Sequence, residues 1–496
     1  MSLLDHTRLL ALGCFLPCAL LGCSVGPSGE DAVTADQAIA SPSATGLCSD
    51  PLPSDDGQLL LLDVCPTTTG PGRIVIRRLH ALTMMEVATY PSTSRVLSAH
   101  GNGEGYAVVV AKDTGSFDVL AGKWNAMGPA FRLDVGTIAG AAADAPKALH
   151  VTRDGKWLMG VSGATSVAFV TEIAPGALPV TEDLRSGAKN HRFLESGGRA
   201  LLVSSRSEQT PLGRTLNLTG TATIGAPVDL TVRDHAIMDE TYDGHGLFVE
   251  RREHNGQLDR VDLATGAVTV VAVGDRVDVP PLMPAYGAGY VWYTNQDRQY
   301  DALADAWVST EALYRVRADG SSAPETYRSV TENVIRFVEA SGDVVVFTEG
   351  DALMADSLSA PGSARVLVGG LGWASSPVKA ARRVADRIVV DYYSKAKTYE
   401  SVVVGADGAL AAQVPGHVLD RGPDTFSGDG TVYYNWFDPT KPVTCDVAGT
   451  DLRVCDGAYG LGWRLIAIPK SNAVIAVQTV RPGEERTPRE MKIISP

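Results

Sequence analysis

Beyond about residue 55 the apolar positions follow no helical period. Short runs rich in Val, Leu, Tyr and Trp recur instead, each opened by a Gly, Asp-Gly or Asn turn signal. Trp157–Gly160 follows Asp154-Gly155, and Leu247–Glu250 follows Asp243-Gly244. Tyr290–Thr294 follows Gly287 and Gly289, Val344–Thr348 follows Gly342-Asp343, and Thr431–Trp436 follows Asp429-Gly430. Weaker members begin at Leu59, Tyr106, Ala200, Ile388 and Ala473. The run starts therefore fall at 59, 106, 157, 200, 247, 290, 344, 388, 432 and 473, between 41 and 54 residues apart. A spacing near 45 is about the length of one four-stranded unit of a radial β architecture. Second turns inside the units, Ala264-Thr265-Gly266 and Ala406-Asp407-Gly408, agree with that reading. The pattern predicts an all-β fold over residues 55–496, a β-propeller in which neighbouring units cover faces that none can bury alone. Ten starts exceed the usual four to eight blades, so some are expected to be spurious, or the first and last to share a blade. The expected count is eight, with seven as the alternative. A pair of β-sandwiches or a solenoid of short strands is the competing architecture.

Several of these units carry a recognisable string. Val151-Thr152-Arg153-Asp154-Gly155-Lys156-Trp157-Leu158 resembles the F-S-P-D-G-K-x-L repeat of TolB-like and prolyl-oligopeptidase-like propellers, and Phe426-Ser427-Gly428-Asp429-Gly430 resembles it again, with Gly in place of Pro. Arg260-Val261-Asp262-Leu263-Ala264-Thr265-Gly266 is similar to the D-L-x-T-G strand-turn of the same repeats, and Leu313–Gly320 is a further variant. The resemblance, which extends to WD-repeat-like blades, covers three or four units. It implies a fold and no activity, because Asp-Gly makes a tight hairpin and the apolar residue after it enters the sheet.

The N-terminus has a different pattern. Met1 to Arg8 is a short head, and Leu9 to Leu21 is a continuous apolar stretch, too short to span a membrane as an ordinary helix and of the length of a secretory core. It ends in Leu20-Leu21-Gly22-Cys23, which resembles the bacterial lipobox: an aliphatic residue, a small residue that fits the peptidase, then a cysteine whose thiol takes the lipid. The resemblance implies a lipoprotein signal peptide over 1–22 and a lipidated Cys23, with acyl chains such as palmitate. Ser24, where enteric inner-membrane lipoproteins carry Asp, favours the outer membrane. Residues 23–54 are rich in Ser, Ala, Gly, Pro and Asp, and predict a flexible tether from Cys23 to the propeller.

Cys14 and Cys18 leave with the signal segment. Cys48, Cys65, Cys445 and Cys455 remain, an even number, and in an exported protein they predict two disulfides. Three pairings are open. The local one, Cys48–Cys65 with Cys445–Cys455, closes the shortest loops; the others would tie the two ends of the mature chain together. No pair has the spacing of a zinc ribbon, and no metal or other cofactor is expected.

The formal net charge of −14 opposes nucleic-acid phosphates, and no basic stripe with interleaved aromatics is present. The densest basic stretch, Lys379, Arg382, Arg383 and Arg387, reads as a solvated loop and strand edge, with an anionic docking patch as the alternative.

Catalytic motifs are wanting. Gly160-Val161-Ser162-Gly163 lacks the last glycine of a nucleophile elbow, and the repeats run nearly to Pro496, where a hydrolase domain would have to follow. Ser427-Gly428-Asp429-Gly430-Thr431 places Gly one residue early for a sialidase-type aspartate box, and Gly101–Gly105 leads into a strand rather than a helix. The richest concentration of acids and histidines, Asp234, His235, Asp239, Glu240, Asp243, His245, Glu250 and His254, reads as solvated turns before it reads as a metal site. Asp297, Asp301 and Asp305 lie in a longer insertion, where binding on a rigid scaffold tends to reside. Trp292, Tyr293, Tyr392, Tyr393, Tyr433, Tyr434 and Trp436 fall in strands and are assigned mostly to packing between blades. The expectation is a non-catalytic propeller lipoprotein, held to a cell-envelope membrane by its lipid, that binds a protein or envelope ligand and no nucleic acid. The alternative is a propeller lactonase, lyase or glycosidase-like hydrolase with carboxylates or a metal in the central channel.

Overall fold

The computed structural model describes residues 44–496 except 80–83, 127, 139–144, 164, 185–187, 207–208, 231–241, 252–256, 274–283, 302, 304, 332, 373–376, 417, 420–424, 436–441, 447–452, 459–462 and 480–486. The apolar stretch Leu9–Leu21, Cys23 and the Ser-rich segment up to residue 43 lie outside the described residues.

The strands are apolar for a simple reason. Each second strand of a sheet is buried on both faces, so it reads as a continuous run and not as an alternation. In Trp157–Val161 every residue is buried. Trp157, Met159 and Val161 pack toward the following sheet, and Leu158 packs toward the preceding one. Val344 and Val346 face one neighbour in the same way, and Val345 and Phe347 face the other.

Among the described residues the strands form nine antiparallel sheets in sequential up-and-down order. Seven are four-stranded, one is three-stranded, and one is eight-stranded. The expected eight blades compare with these nine sheets, of which eight are separate. The ninth holds both ends of the described chain and contains two further units. One consists of Leu52–Pro53, Leu59–Val64, Gly72–Arg78 and Met84–Tyr90. The other consists of Trp463–Ala467, Val474–Gln478 and Arg489–Ile494, with Ala44–Leu47 as its outer strand. Ala44–Leu47 pairs with Arg489–Ile494 and touches Leu59–Val64 through Leu47 and Val64, which fuses the two units into one sheet.

We number these units 1 to 10 in chain order, starting from the one that contains Leu59–Val64. Every recurrence start in the sequence lies within one residue of the start of a second strand: Leu59, Gly105, Trp157, Arg199, Gly246, Tyr290, Val344, Arg387, Tyr433 and Val474. The strand at Gly246 is the first described one of unit 5, and it is preceded by a single bridge from Tyr242 to Leu247.

Apolar clusters join unit 1 to 2, 2 to 3, and so on to 10, and a last cluster joins unit 10 back to unit 1. The described chain is a closed β-propeller. Closure leaves no sheet face open, which is what an antiparallel architecture with apolar faces on both sides requires.

Residues 44–53 correct the tether. Their composition places them in a flexible segment, yet Ala44–Leu47 and Leu52–Pro53 are strands and Leu47 is fully buried. Ala44–Leu47 is ordered by pairing with residues more than 400 positions away, and Leu52–Pro53 by pairing with Leu60 and Leu61, neither of which local composition registers.

Candidate functional site

First strands of neighbouring units pack against one another, so they form the inner edge of the ring. They begin at one rim, here called the loop rim. They end at the other, the hairpin rim, where each turns into its second strand.

The hairpins are built alike. In unit 3, Thr152 Oγ1 donates to Asp154 Oδ1 at 2.6 Å and accepts from Trp157 N–H at 3.0 Å, and Asp154 also accepts from Lys156 N–H. Ser427 and Asp429 repeat this in unit 9. Ser54 and Asp56 repeat it in unit 1, where the sequence reading had not placed the motif. Hydrogen bonds from Ser54 Oγ and Gln58 N–H hold Asp56 below the ordinary carboxylate value; in Asp154 and Asp429 the same bonds outweigh the opposing effect of burial.

The charge of the inner strands is opposite to that of the molecule. Those described carry Arg95 in unit 2, Lys189 and Arg192 in unit 4, Arg336 in unit 7, Lys379, Arg382 and Arg383 in unit 8, and Arg464 in unit 10. Only Glu195 and Glu339 are acidic, in a chain of net charge −14. His100, His150 and His191 lie on three consecutive inner strands. The basic stretch read from sequence as a loop and strand edge is thus the inner strand of unit 8, with Arg387 opening the next strand. Arg383 pairs with Glu339 across the junction at 3.7 Å.

Where units 2, 3 and 4 meet at the hairpin rim, polar groups from three inner strands converge. His150 Nε2 lies 3.0 Å from Glu195 Oε2, and Asn102 Nδ2 donates to that same oxygen at 3.2 Å and to Val151 O at 2.8 Å. Both Glu195 oxygens accept from Arg153 N–H at 3.1 Å. The carboxylate therefore clamps the hairpin of unit 3. Desolvation, reinforced by the nearby His150, lowers the basicity of His100.

At the loop rim, units 10, 1 and 2 enclose a cavity of about 600 Å³, within the range of small-molecule sites. Its apolar wall is Leu52, Pro53, Val96, Leu97 and Ile466, with Tyr90 beside them. Its polar groups are Asp50, Ser94, Arg95, Arg464 and Arg489. Asp50 pairs with Arg464 and, at 2.9 Å, with Arg489. Arg489 also donates to Cys48 O at 2.8 Å, while its Nε is buried without a hydrogen-bond partner. Ser94 is 3 % exposed, and its hydroxyl has no partner either. Arg95 is exposed, and its guanidinium makes no ion pair or hydrogen bond among the described residues.

No protein-family model and no curated protein sequence matches the chain. Solved structures with which it shares coarse geometry include a eukaryotic initiation factor, at 10 % identity over 76 % of this chain and 89 % of that one, with a TM-score of 0.41. Prolyl oligopeptidase B from Galerina marginata is similar at 11 % identity over 74 % of this chain, with a TM-score of 0.32; the chain spans 56 % of that enzyme. The β-propeller domain of the trilobed protease from Pyrococcus furiosus is similar at 12 % identity over 65 % of this chain and 98 % of that domain, with a TM-score of 0.28. Likenesses this distant assign neither activity nor ligand.

The other described candidates make contacts within the fold. Cys48 is bonded to Cys65 and Cys445 to Cys455, with Cα separations of 5.0 and 5.6 Å. The Cys48–Cys65 bridge fastens the chain where it passes the cavity. Asp243 accepts from His245 N–H and Gly246 N–H and pairs with Arg260 at 2.5 Å, which makes it a hairpin residue. Glu250 is buried in its strand, whereas Asp234, His235, Asp239, Glu240 and His254 lie outside the described residues. The Asp297–Asp305 insertion is a regular hairpin of two 12-residue strands, Tyr290–Asp301 and Ala306–Arg317. Ser162 is fully buried, and its hydroxyl accepts from Val167 N–H in a turn. Trp292, Tyr293, Tyr392, Tyr433 and Tyr434 all lie in junctions between units. Sequence reading missed Asp50, Ser94, Arg95, Arg464 and Arg489. The signal available was the basic bias of first strands, visible only once the ten runs are aligned.

Proposed function

We propose that this protein is a cell-envelope lipoprotein, anchored through Cys23, whose propeller is a non-catalytic binding or scaffold module. The observation that carries the reading is the use made of charged groups at the ring's inner edge. Glu195, Asp50 and Glu339 are each engaged in bracing one unit against another. What they leave open is a recess with an apolar wall, which is a binding geometry.

Among the described residues the chain reaches this recess from the hairpin rim. Ala44–Leu47 runs toward the cavity and ends at Cys48 on its wall. Ala44 is four residues back along an extended strand, about 13 Å away, toward the hairpin rim.

The anchor has a direct test. Cys23→Ser is expected to leave an unprocessed precursor or to release the protein from the membrane fraction; normal size with full membrane retention overturns the anchor. The competing enzyme reading rests on the convergence of His150 and Glu195. Elemental analysis of the purified protein separates the two, since a stoichiometric divalent metal would favour the enzyme.

A further inference from the structure

We propose that the loop-rim cavity between units 10, 1 and 2 is a binding site for a small organic oxyanion, a carboxylate or phosphate carried on an apolar body. This rests on the binding-module reading and deepens it by naming the ligand's chemistry.

Three observations converge on it. The first is charge. Three guanidinium groups, Arg95, Arg464 and Arg489, line the recess with one carboxylate, Asp50, and the buried Asp63 behind the wall acts on Arg489 as a second, so a surplus of one positive charge remains. Inner strands elsewhere in the ring add to that field, in a molecule that is acidic as a whole.

The second is unspent hydrogen-bonding capacity. Asp50 occupies Arg464 and part of Arg489, and the Arg95 guanidinium has no partner among the described residues. The Ser94 hydroxyl and the Arg489 Nε–H are buried and unpaired. Those two atoms are enclosed behind the wall, so the donors open to the recess are the exposed guanidinium groups of Arg95 and Arg464. Guanidinium donors suit an anionic oxygen, and the guanidinium fork matches carboxylate and phosphate alike.

The third is the rest of the lining. Leu52, Leu97 and Ile466 with Pro51, Pro53 and Pro66 offer apolar surface, and Leu97 is 41 % exposed. A free inorganic ion would leave that wall wet. A ligand with an apolar body covers it while its head meets the arginines. The recess is also pre-formed: the Cys48–Cys65 bridge and the Asp50 clamp hold its rim, so little ordering opposes binding.

The test is calorimetric titration of the full chain with 4-phenylbutyrate and with 4-phenylbutyl phosphate, which distinguish the two heads, and with 4-phenylbutan-1-ol as the neutral control. Saturable binding of at least one anion is expected, weakening as salt is raised, and the alcohol is expected to bind at least about tenfold more weakly. Arg95→Gln should weaken the anion about tenfold, the size of one charge-assisted hydrogen bond. Leu97→Glu should abolish binding by placing a like charge against the head. Both positions are exposed, so thermal unfolding of both variants should match the parent. Arg382→Gln, on an inner strand but outside the cavity, should bind as the parent does. Absence of saturable anion binding, equal binding of the alcohol, or affinity unchanged in both Arg95→Gln and Leu97→Glu overturns the proposal. None of these outcomes touches the anchored-scaffold reading, which stands or falls on membrane fractionation and metal content.

Discussion

The smallest unit of order in this protein is the hydroxyl–aspartate hairpin. A Ser or Thr receives the N–H of the first strand residue after the turn, the Asp two positions on receives another, and a glycine takes the left-handed backbone between them. Glycines differ in how much the fold depends on them. Gly57 and Gly115 have φ of +69° and +80°, yet a Cβ on Gly57 would lie 1.8 Å from Pro469 O in unit 10, and one on Gly115 would meet nothing within 4 Å. Gly115→Ala should therefore cost only backbone strain, about 1–2 kcal/mol. Gly57→Ala should add overpacking between units, about 1–3 kcal/mol more. Chemical denaturation of the pair checks this; equal losses would mean that the close approach of units 1 and 10 contributes nothing.

At the scale of elements, the strand Ala44–Leu47 matters most. It supplies the outer edge of unit 10 and holds unit 1 beside it. A chain lacking residues 44–47 loses the fully buried Leu47 and leaves Arg489–Ile494 as an open edge. Its calorimetric unfolding should begin at lower temperature and broaden, because units 10 and 1 are no longer coupled. An unchanged sharp transition would show that the apolar junction alone closes the ring. Most second strands were legible in the sequence because burial on both faces makes an apolar run, and because turn residues announce each one. Ala44–Leu47 and Leu52–Pro53 were not, since two to four residues among small and polar neighbours carry no period.

At the scale of the whole molecule, turn aspartates recur around the ring and share one electrostatic sign. Asp56 through Ser54, Asp262 through Thr265, Asp319 through Ser321 and Asp343 through Ser357 are each held below the ordinary carboxylate value of 3.8. The unfolded chain therefore takes up protons first as pH falls. Stability that these groups contribute is complete at neutral pH and is lost as pH drops through 3.8 toward their folded values. The urea midpoint should fall steeply below about pH 4, and Asp154→Asn should make that fall shallower; an identical slope in the variant would exclude the hairpin carboxylate as a contributor. The inner edge reverses the sign of the surface, with basic residues gathered from units 2, 4, 7, 8 and 10.

By itself, the sequence determined what depends on neighbours a few residues apart: the turns, the apolar runs between them, the 45-residue recurrence and hence the all-β repetitive class. Turn conformation and strand burial leave local marks because a hairpin closes within some twenty residues. The tertiary structure alone decided what depends on distant partners. Asp50 meets Arg464 across 414 positions and Arg489 across 439, and no local pattern encodes that meeting. The closing of the ring through the first described strand, the gathering of positive charge at the inner edge and the cavity at the loop rim all follow from the same cause. Residues that share an axis in space share no period along the chain until the circle is complete.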